Sequence, residues 1–191
     1  MSLPDSGVLT VGDTLIPHAK ALDGRGDSTS TPIVWSALDT TLEVVDSLSG
    51  ATKGLFPGTG RIVARAGSLS SNPATLTILA PLDSIVAGTT VDTVVVSTPD
   101  SLSDTLRVEA FAGGGPASGR RIFLSLDFPP GGTGVTLVPS DTIVTALTGT
   151  AFFRVQLTGV RPDSAVVSAS ATNHGTPVAG SPIHFVVVFQ P

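Results

Sequence analysis

Apolar residues in this chain fall at every second position, segment after segment, and turn residues return about every 8–12 residues. Between Thr150 and Leu157, one face holds Ala151, Phe153, Val155 and Leu157, and the other holds Thr150, Phe152, Arg154 and Gln156. Leu106, Val108 and Ala110 alternate with Thr105, Arg107 and Glu109. Ile122, Leu124, Leu126 and Phe128 alternate with Phe123, Ser125 and Asp127. Successive side chains of a strand point to opposite faces, so each segment predicts one core face and one wet face. That is the pattern of an antiparallel sandwich. No segment of ten or more residues carries a 3.6-residue period.

Composition points the same way. Only 13% of the 191 residues are charged and 41% are hydrophobic, with Thr, Ser, Gly and Pro filling the difference. These residues suit strands and turns better than helices. Glu (Glu43, Glu109) and Lys (Lys20, Lys53) occur twice each, so the vocabulary of helix surfaces is nearly missing. The expected class is all-β. A net charge of -5 and scattered arginines, of which only Arg120 and Arg121 are adjacent, argue against a nucleic-acid partner. The absence of Cys excludes disulfides, thiolate metal sites and cysteine nucleophiles. No apolar run approaches the ~18 residues of a membrane-crossing helix, so no membrane insertion is expected. The N-terminus lacks the basic-then-apolar pattern of a signal, and Met1-Ser2-Leu3 reads as a leader outside the fold. The chain is expected to be a piece of a longer protein.

The alternation breaks at Ala80-Pro81-Leu82, after a terminal strand at Ala74 to Leu79 and before a new set near Asp83. This predicts two tandem β-sandwiches, residues 4–80 and 82–191, joined by a short linker. Proline removes a ladder donor and stiffens the joint, so the expectation is a semi-rigid rod.

Within residues 4–80 a series of short runs stands in a telling order: Gly12-Asp13, Trp35-Ser36, Val45-Asp46, Gly54-Leu55-Phe56-Pro57-Gly58-Thr59, then Ile62-Val63-Ala64. The series resembles the bacterial immunoglobulin-like group 2 domains of intimin-type surface proteins. Glu43 departs from the small residue usual there, which suggests a register change or an edge position. Independently of the resemblance, Trp35 offers a large apolar body for two sheets to close over, and Pro57-Gly58 is a strong turn signal. In residues 82–191, Gly149-Thr150-Ala151-Phe152, Ala165 to Ala171 and Ile183 to Phe189 more loosely resemble invasin-type group 1 or filamin-like sandwiches. With no Tyr in the chain, the tyrosine corner of many such domains is excluded.

The sharpest candidate site is Arg25-Gly26-Asp27, in the turn-rich stretch from Asp23 to Pro32. The tripeptide matches the integrin-recognition motif, in which a guanidinium and a carboxylate held apart bridge a receptor and its metal ion. A tripeptide of this kind arises by chance in roughly one such sequence in twenty, and Gly and Asp concentrate in turns for their own reasons. His18, His174 and His184 are far apart and not at ligand spacing, so no metal or catalytic role is expected of them. Ser is abundant enough for a Ser, an Asp and a His to approach by chance, but no Gly-x-Ser-x-Gly elbow is present. Calcium at the joint is an open alternative, with Asp83, Asp100, Asp104, Asp141 and Asp163 as turn carboxylates and no EF-hand pattern. Outward-facing Phe152 or Phe123 would give a small exposed apolar patch.

The expectation is therefore a non-enzymatic, monomeric, extracellular or cell-surface structural or adhesion repeat, without a catalytic site or required cofactor. Its partners would be neighbouring immunoglobulin-like domains of the parent chain. The alternatives are a module that binds a host protein or glycan, and an accessory domain of a secreted hydrolase.

Overall fold

The computed structural model describes residues 1–95 and 101–190 and is all-β, with 3-10 turns at Pro4–Gly7 and Pro130–Gly132. The chain divides into two compact units, Met1–Pro81 and Leu82–Pro191.

Unit 1 holds β1 (Val8–Thr10), β2 (Thr14–Leu15), β3 (Val34–Ala37), β4 (Leu42–Asp46), β5 (Ala51–Gly54), β6 (Gly58–Ala66), β7 (Leu69–Ser70) and β8 (Ala74–Leu79). One sheet runs β1-β8-β6-β3 with β7 hairpinned onto β6, and the other runs β2-β5-β4. The first strand lies parallel to the last, from Val8 opposite Thr77 to Thr10 opposite Leu79. The remaining pairs of this unit are antiparallel. This exchange of strands between two sheets is the immunoglobulin-like plan.

Trp35 is 5% exposed and packs with Leu9, Leu15, Leu42, Ile62, Ala64, Leu76 and Ile78 from both sheets. Its ring is roofed by the turn after β4. The Asp46 carboxylate accepts from Leu48 N at 2.9 Å and from the Ser49 hydroxyl at 2.6 Å, and Ser47 O accepts from Trp35 N at 2.8 Å. The turn ends on Gly50 at φ +79°, where a Cβ would lie 2.8 Å from the indole Nε1. Gly60 has a different reason to be glycine: a Cβ there would lie 2.3 Å from Leu42 Cδ2. Glu43 is exposed on β4, the edge strand of its sheet, opposite Lys53 and next to a register shift between Val44 and Asp46. Edge position and irregularity coincide at the residue that breaks the sequence pattern.

One expectation is overturned in unit 1. Ser2 and His18 exchange backbone hydrogen bonds of 2.8 and 3.0 Å, and Leu3 packs against the core. Met1-Ser2-Leu3 therefore belongs to the fold, because an apolar side chain and a backbone pair both find partners there.

Unit 2 holds β9 (Ser84–Val86), β10 (Val91–Val95), β11 (Leu106–Ala112), β12 (Gly115–Pro116), β13 (Arg121–Phe128) and β14 (Val135–Val138). It continues with β15 (Thr142–Val144), β16 (Thr150–Leu157), β17 (Ser164–Ser170), β18 (Thr172–Asn173), β19 (Thr176–Pro177) and β20 (Ile183–Gln190). One sheet runs β10-β20-β17-β13-β15; the other runs β12-β11-β16-β14, with β9 also on β11. Here the entering strand, β9, lies antiparallel to β11, and it is the second strand, β10, that lies parallel to the last, from Val91 opposite Val186 to Val95 opposite Gln190. The alternation of β16 is realised in full, with Ala151, Phe153, Val155 and Leu157 buried. In β13, Ile122 and Leu124 are buried as expected but Phe128 is 45% exposed. A register shift between Leu126 and Phe128 against β17 turns Phe128 out of the core, which the strict two-residue period does not foresee.

Candidate functional site

The Arg25-Gly26-Asp27 segment forms the tip of a closed turn. Thr29 N donates to Ala21 O at 3.0 Å, Leu22 and Ser28 form an antiparallel bridge, and Asp23 N donates to Asp27 O at 2.9 Å. Inside this frame Gly26 N donates to Asp23 O at 3.0 Å. The Asp23 carboxylate then ties the loop from its base: Oδ1 accepts from Arg25 N at 2.8 Å and from Asp27 N at 3.0 Å. These backbone donors, Asp27 first and Arg25 second, hold the Asp23 carboxyl below the ordinary carboxylate range. Gly26 stands at φ +89°, in space where a Cβ would meet nothing, so its backbone conformation alone calls for glycine.

Residues 22–30 are exposed throughout. Among the described residues neither the Arg25 guanidinium nor the Asp27 carboxylate has a side-chain partner. The loop thus presents a cation and an anion on a backbone fixed by a third side chain. Asp23 is the residue that motif reading missed, although an Asp two residues before a donor amide is a readable sign of an Asx turn. Beside the loop lies a shallow cleft of about 170 Å³, lined in part by Lys20, Leu22, Ile33, Arg65 and Leu69. That is smaller than the several hundred Å³ usual for small-molecule sites.

Elsewhere, chance brings a Ser, an Asp and a His together. On adjacent strands, Ser125 of β13 stands opposite Ser168 of β17, which stands opposite His184 of β20. The Ser168 hydroxyl donates to Asp127, and Ser125 donates to the same carboxylate at 2.8 Å. His184 Nδ1 lies 3.0 Å from Ser168 Oγ and 3.5 Å from Asp127 Oδ2. In a hydrolytic triad the serine proton goes to one ring nitrogen and the carboxylate holds the other. Here the proton goes to the carboxylate, and Ser168 and Asp127 crowd the same nitrogen. The backbone around Ser168 is engaged on both sides by neighbouring strands, leaving no paired donors for an oxyanion.

His174 lies in the β18–β19 turn at φ +48°, and His18 is exposed beside Ser2. No three His, Asp or Glu side chains gather in metal-binding geometry among the described residues. Asp83 accepts from Gly114 N at 3.2 Å, and Asp141 Oδ1 accepts from the Thr142 hydroxyl at 3.3 Å. Asp100 lies outside the described residues. Phe152 and Phe123 both face outward, 49% and 48% exposed, each on its own sheet, on β16 and β13.

No family model matches the chain, and no curated protein matches its sequence. Solved structures do resemble it. The Yersinia pseudotuberculosis adhesin InvE is 14% identical at a TM-score of 0.47, the match covering 100% of this chain and 58% of that one. The D00-D0 domain of intimin is 18% identical at 0.40, covering 100% and 99% of the two chains. Domains 4 and 5 of the S-layer protein SbsC are 19% identical at 0.37, covering 93% and 82%. At these identities and TM-scores none of the three bears on what this chain does.

Proposed function

We propose that the chain is a non-catalytic structural module of a bacterial surface or secreted protein, a spacer that holds other domains at a distance. The observation that carries this reading is repetition. The same two-sheet plan, with an early strand parallel to the last, closes twice in succession, each time around its own core. A group 2-like first domain, a group 1-like or filamin-like second domain, a monomeric state and an extracellular location belong to the same reading.

Display between a cell-surface anchor and a terminal epitope tests it. Deleting unit 2 should lower antibody access to the tag, and an unrelated sandwich of equal length should restore it. If only this sequence restores access, its surfaces do the work and the spacer reading fails.

A second reading has its own observation, the turn tied by Asp23. A loop that presents an unpartnered guanidinium and carboxylate suits a receptor that pairs an acidic pocket with a divalent cation, as integrin-class receptors do. Integrin-bearing cells should then adhere to surfaces coated with the protein. Asp27→Glu should abolish adhesion, and Asp23→Ala should weaken it while leaving both recognition side chains in place. Equal adhesion to the parent and Asp27→Glu proteins would remove this reading.

A further inference from the structure

We propose that each unit is built to carry tension along the chain, latched by the parallel pairing of its last strand with a strand near its N-terminal end, β1 in unit 1 and β10 in unit 2, and that unit 2 is the stronger latch. The reason is geometric. In a parallel pair both N-ends lie at the same end. Tension reaching the N-end of the earlier strand and leaving at the C-end of the last therefore draws the two strands past each other along their axes. In unit 2 that tension reaches β10 once β9 has left β11. All bonds of the pair share that load at once. An antiparallel terminal pair would present its loaded ends side by side, and its bonds would open one after another.

Both units adopt the shared-load arrangement. In unit 1, β1 and β8 pair over three positions, continued by Val11 N donating to Leu79 O at 2.9 Å. In unit 2, β10 and β20 pair over five positions, preceded by Val186 N donating to Thr90 O at 2.7 Å. Ahead of β10, the entry of unit 2 is also held. Leu82 N donates to Asn173 Oδ1 at 3.0 Å, the Asn173 amide donates back to Leu82 O, and Ile85 N donates to Ala179 O at 3.0 Å. The longer pair and the gripped entry make unit 2 the last to open.

This inference rests on the spacer reading only for its biological use. The mechanics are measured on the chain itself, so a weak latch would sink the proposal and leave the spacer reading to its display experiment. The test is single-molecule stretching of the full chain between terminal handles. The units are told apart by contour length, since 81 and 110 residues extend to about 280 Å and about 380 Å before the folded length is subtracted.

The expected trace opens unit 1 first. Because Val186 N bonds Thr90 O, even-numbered positions of β10 turn their backbone toward β20, and the Thr93 N–H points to the open edge. Val94→Pro should therefore lower the unit 2 rupture force below that of unit 1 and invert the order, while Thr93→Pro should keep the order. A second measurement needs no proline. The chain has no native Cys, so Thr89→Cys with His184→Cys places handles at the shared N-end of the pair. Pulling there should open unit 2 at a lower force than pulling through the termini. Unit 2 opening first in the parent, or equal forces in the two pulling directions, would overturn the proposal.

Discussion

The two units follow one plan and fill it differently. Among the described residues, the core of unit 1 contains eight buried apolar side chains and that of unit 2 contains twenty-two, a gap far wider than 81 against 110 residues. Unit 1 closes over one tryptophan, and it brings its sheets together by leaving out side chains at Gly50 and Gly60. Unit 2 uses long strands and an aromatic pair, Phe153 and Phe185, whose ring centroids are 5.1 Å apart at 90°. A strand plan fixes which faces meet, and the number of side chains trapped between them sets how firmly. Small sandwiches bury a smaller share of their surface, so unit 1 should be the weaker.

Damage to the larger core should have the largest effect. Phe153→Ala removes a ring that is 1% exposed and should cost about 3–5 kcal/mol, confined to unit 2. Calorimetry should show only the higher transition moving down. If both transitions move together, the units are not independent. Next in size, Gly60→Ala should cost unit 1 about 1–3 kcal/mol by forcing Leu42 aside. An unchanged melting temperature would mean that the sheets of unit 1 can spread freely.

Smaller again, Asn173→Ala gives up both bonds to Leu82 and should cost unit 2 about 1–2 kcal/mol in denaturant titrations. Asn173→Asp keeps an acceptor for Leu82 N but sets a second carboxylate oxygen against Leu82 O, so it should not restore the parent's stability.

The smallest effect is electrostatic. The hydroxyls of Ser168 and Ser125, with His184 adding to them, hold the Asp127 carboxyl below its ordinary value of 3.8. A depressed carboxylate stabilises the fold above its unfolded pKa, and that contribution is lost as pH falls through the folded value, below 3.8. With its side chain 39% exposed, screening keeps the contribution under about 1 kcal/mol. Asp127→Asn should therefore be less stable than the parent at about pH 6 and converge with it as pH falls through the folded value, below 3.8. A gap that persists in acid would contradict the assignment.

Much of the fold is legible in the sequence because burial imposes a strict period on a strand. The β16 pattern and the core position of Trp35 follow from side-chain type and spacing alone. Legibility ends where the ladder slips. Phe128 leaves the core through a register shift that involves its partner strand, and no property of the β13 segment encodes it. Leu3 escapes for a related reason, since three residues are too few to show a period and the surface they cover lies elsewhere in the chain. At the candidate site the recognition tripeptide is visible as letters. The tie from Asp23, which fixes their backbone, depends on loop closure by Ala21 and Thr29.

The single tryptophan reports whether the two sandwiches are self-contained and unequal in strength. Trp35 lies in unit 1, so its fluorescence reports that unit, while far-ultraviolet circular dichroism reports both. In a denaturant titration of the full chain, fluorescence should complete its transition at lower denaturant while much of the dichroism signal remains, to be lost in a second step. A single transition with the same midpoint by both probes would mean that the chain folds as one cooperative body, contradicting two independent sandwiches of unequal strength.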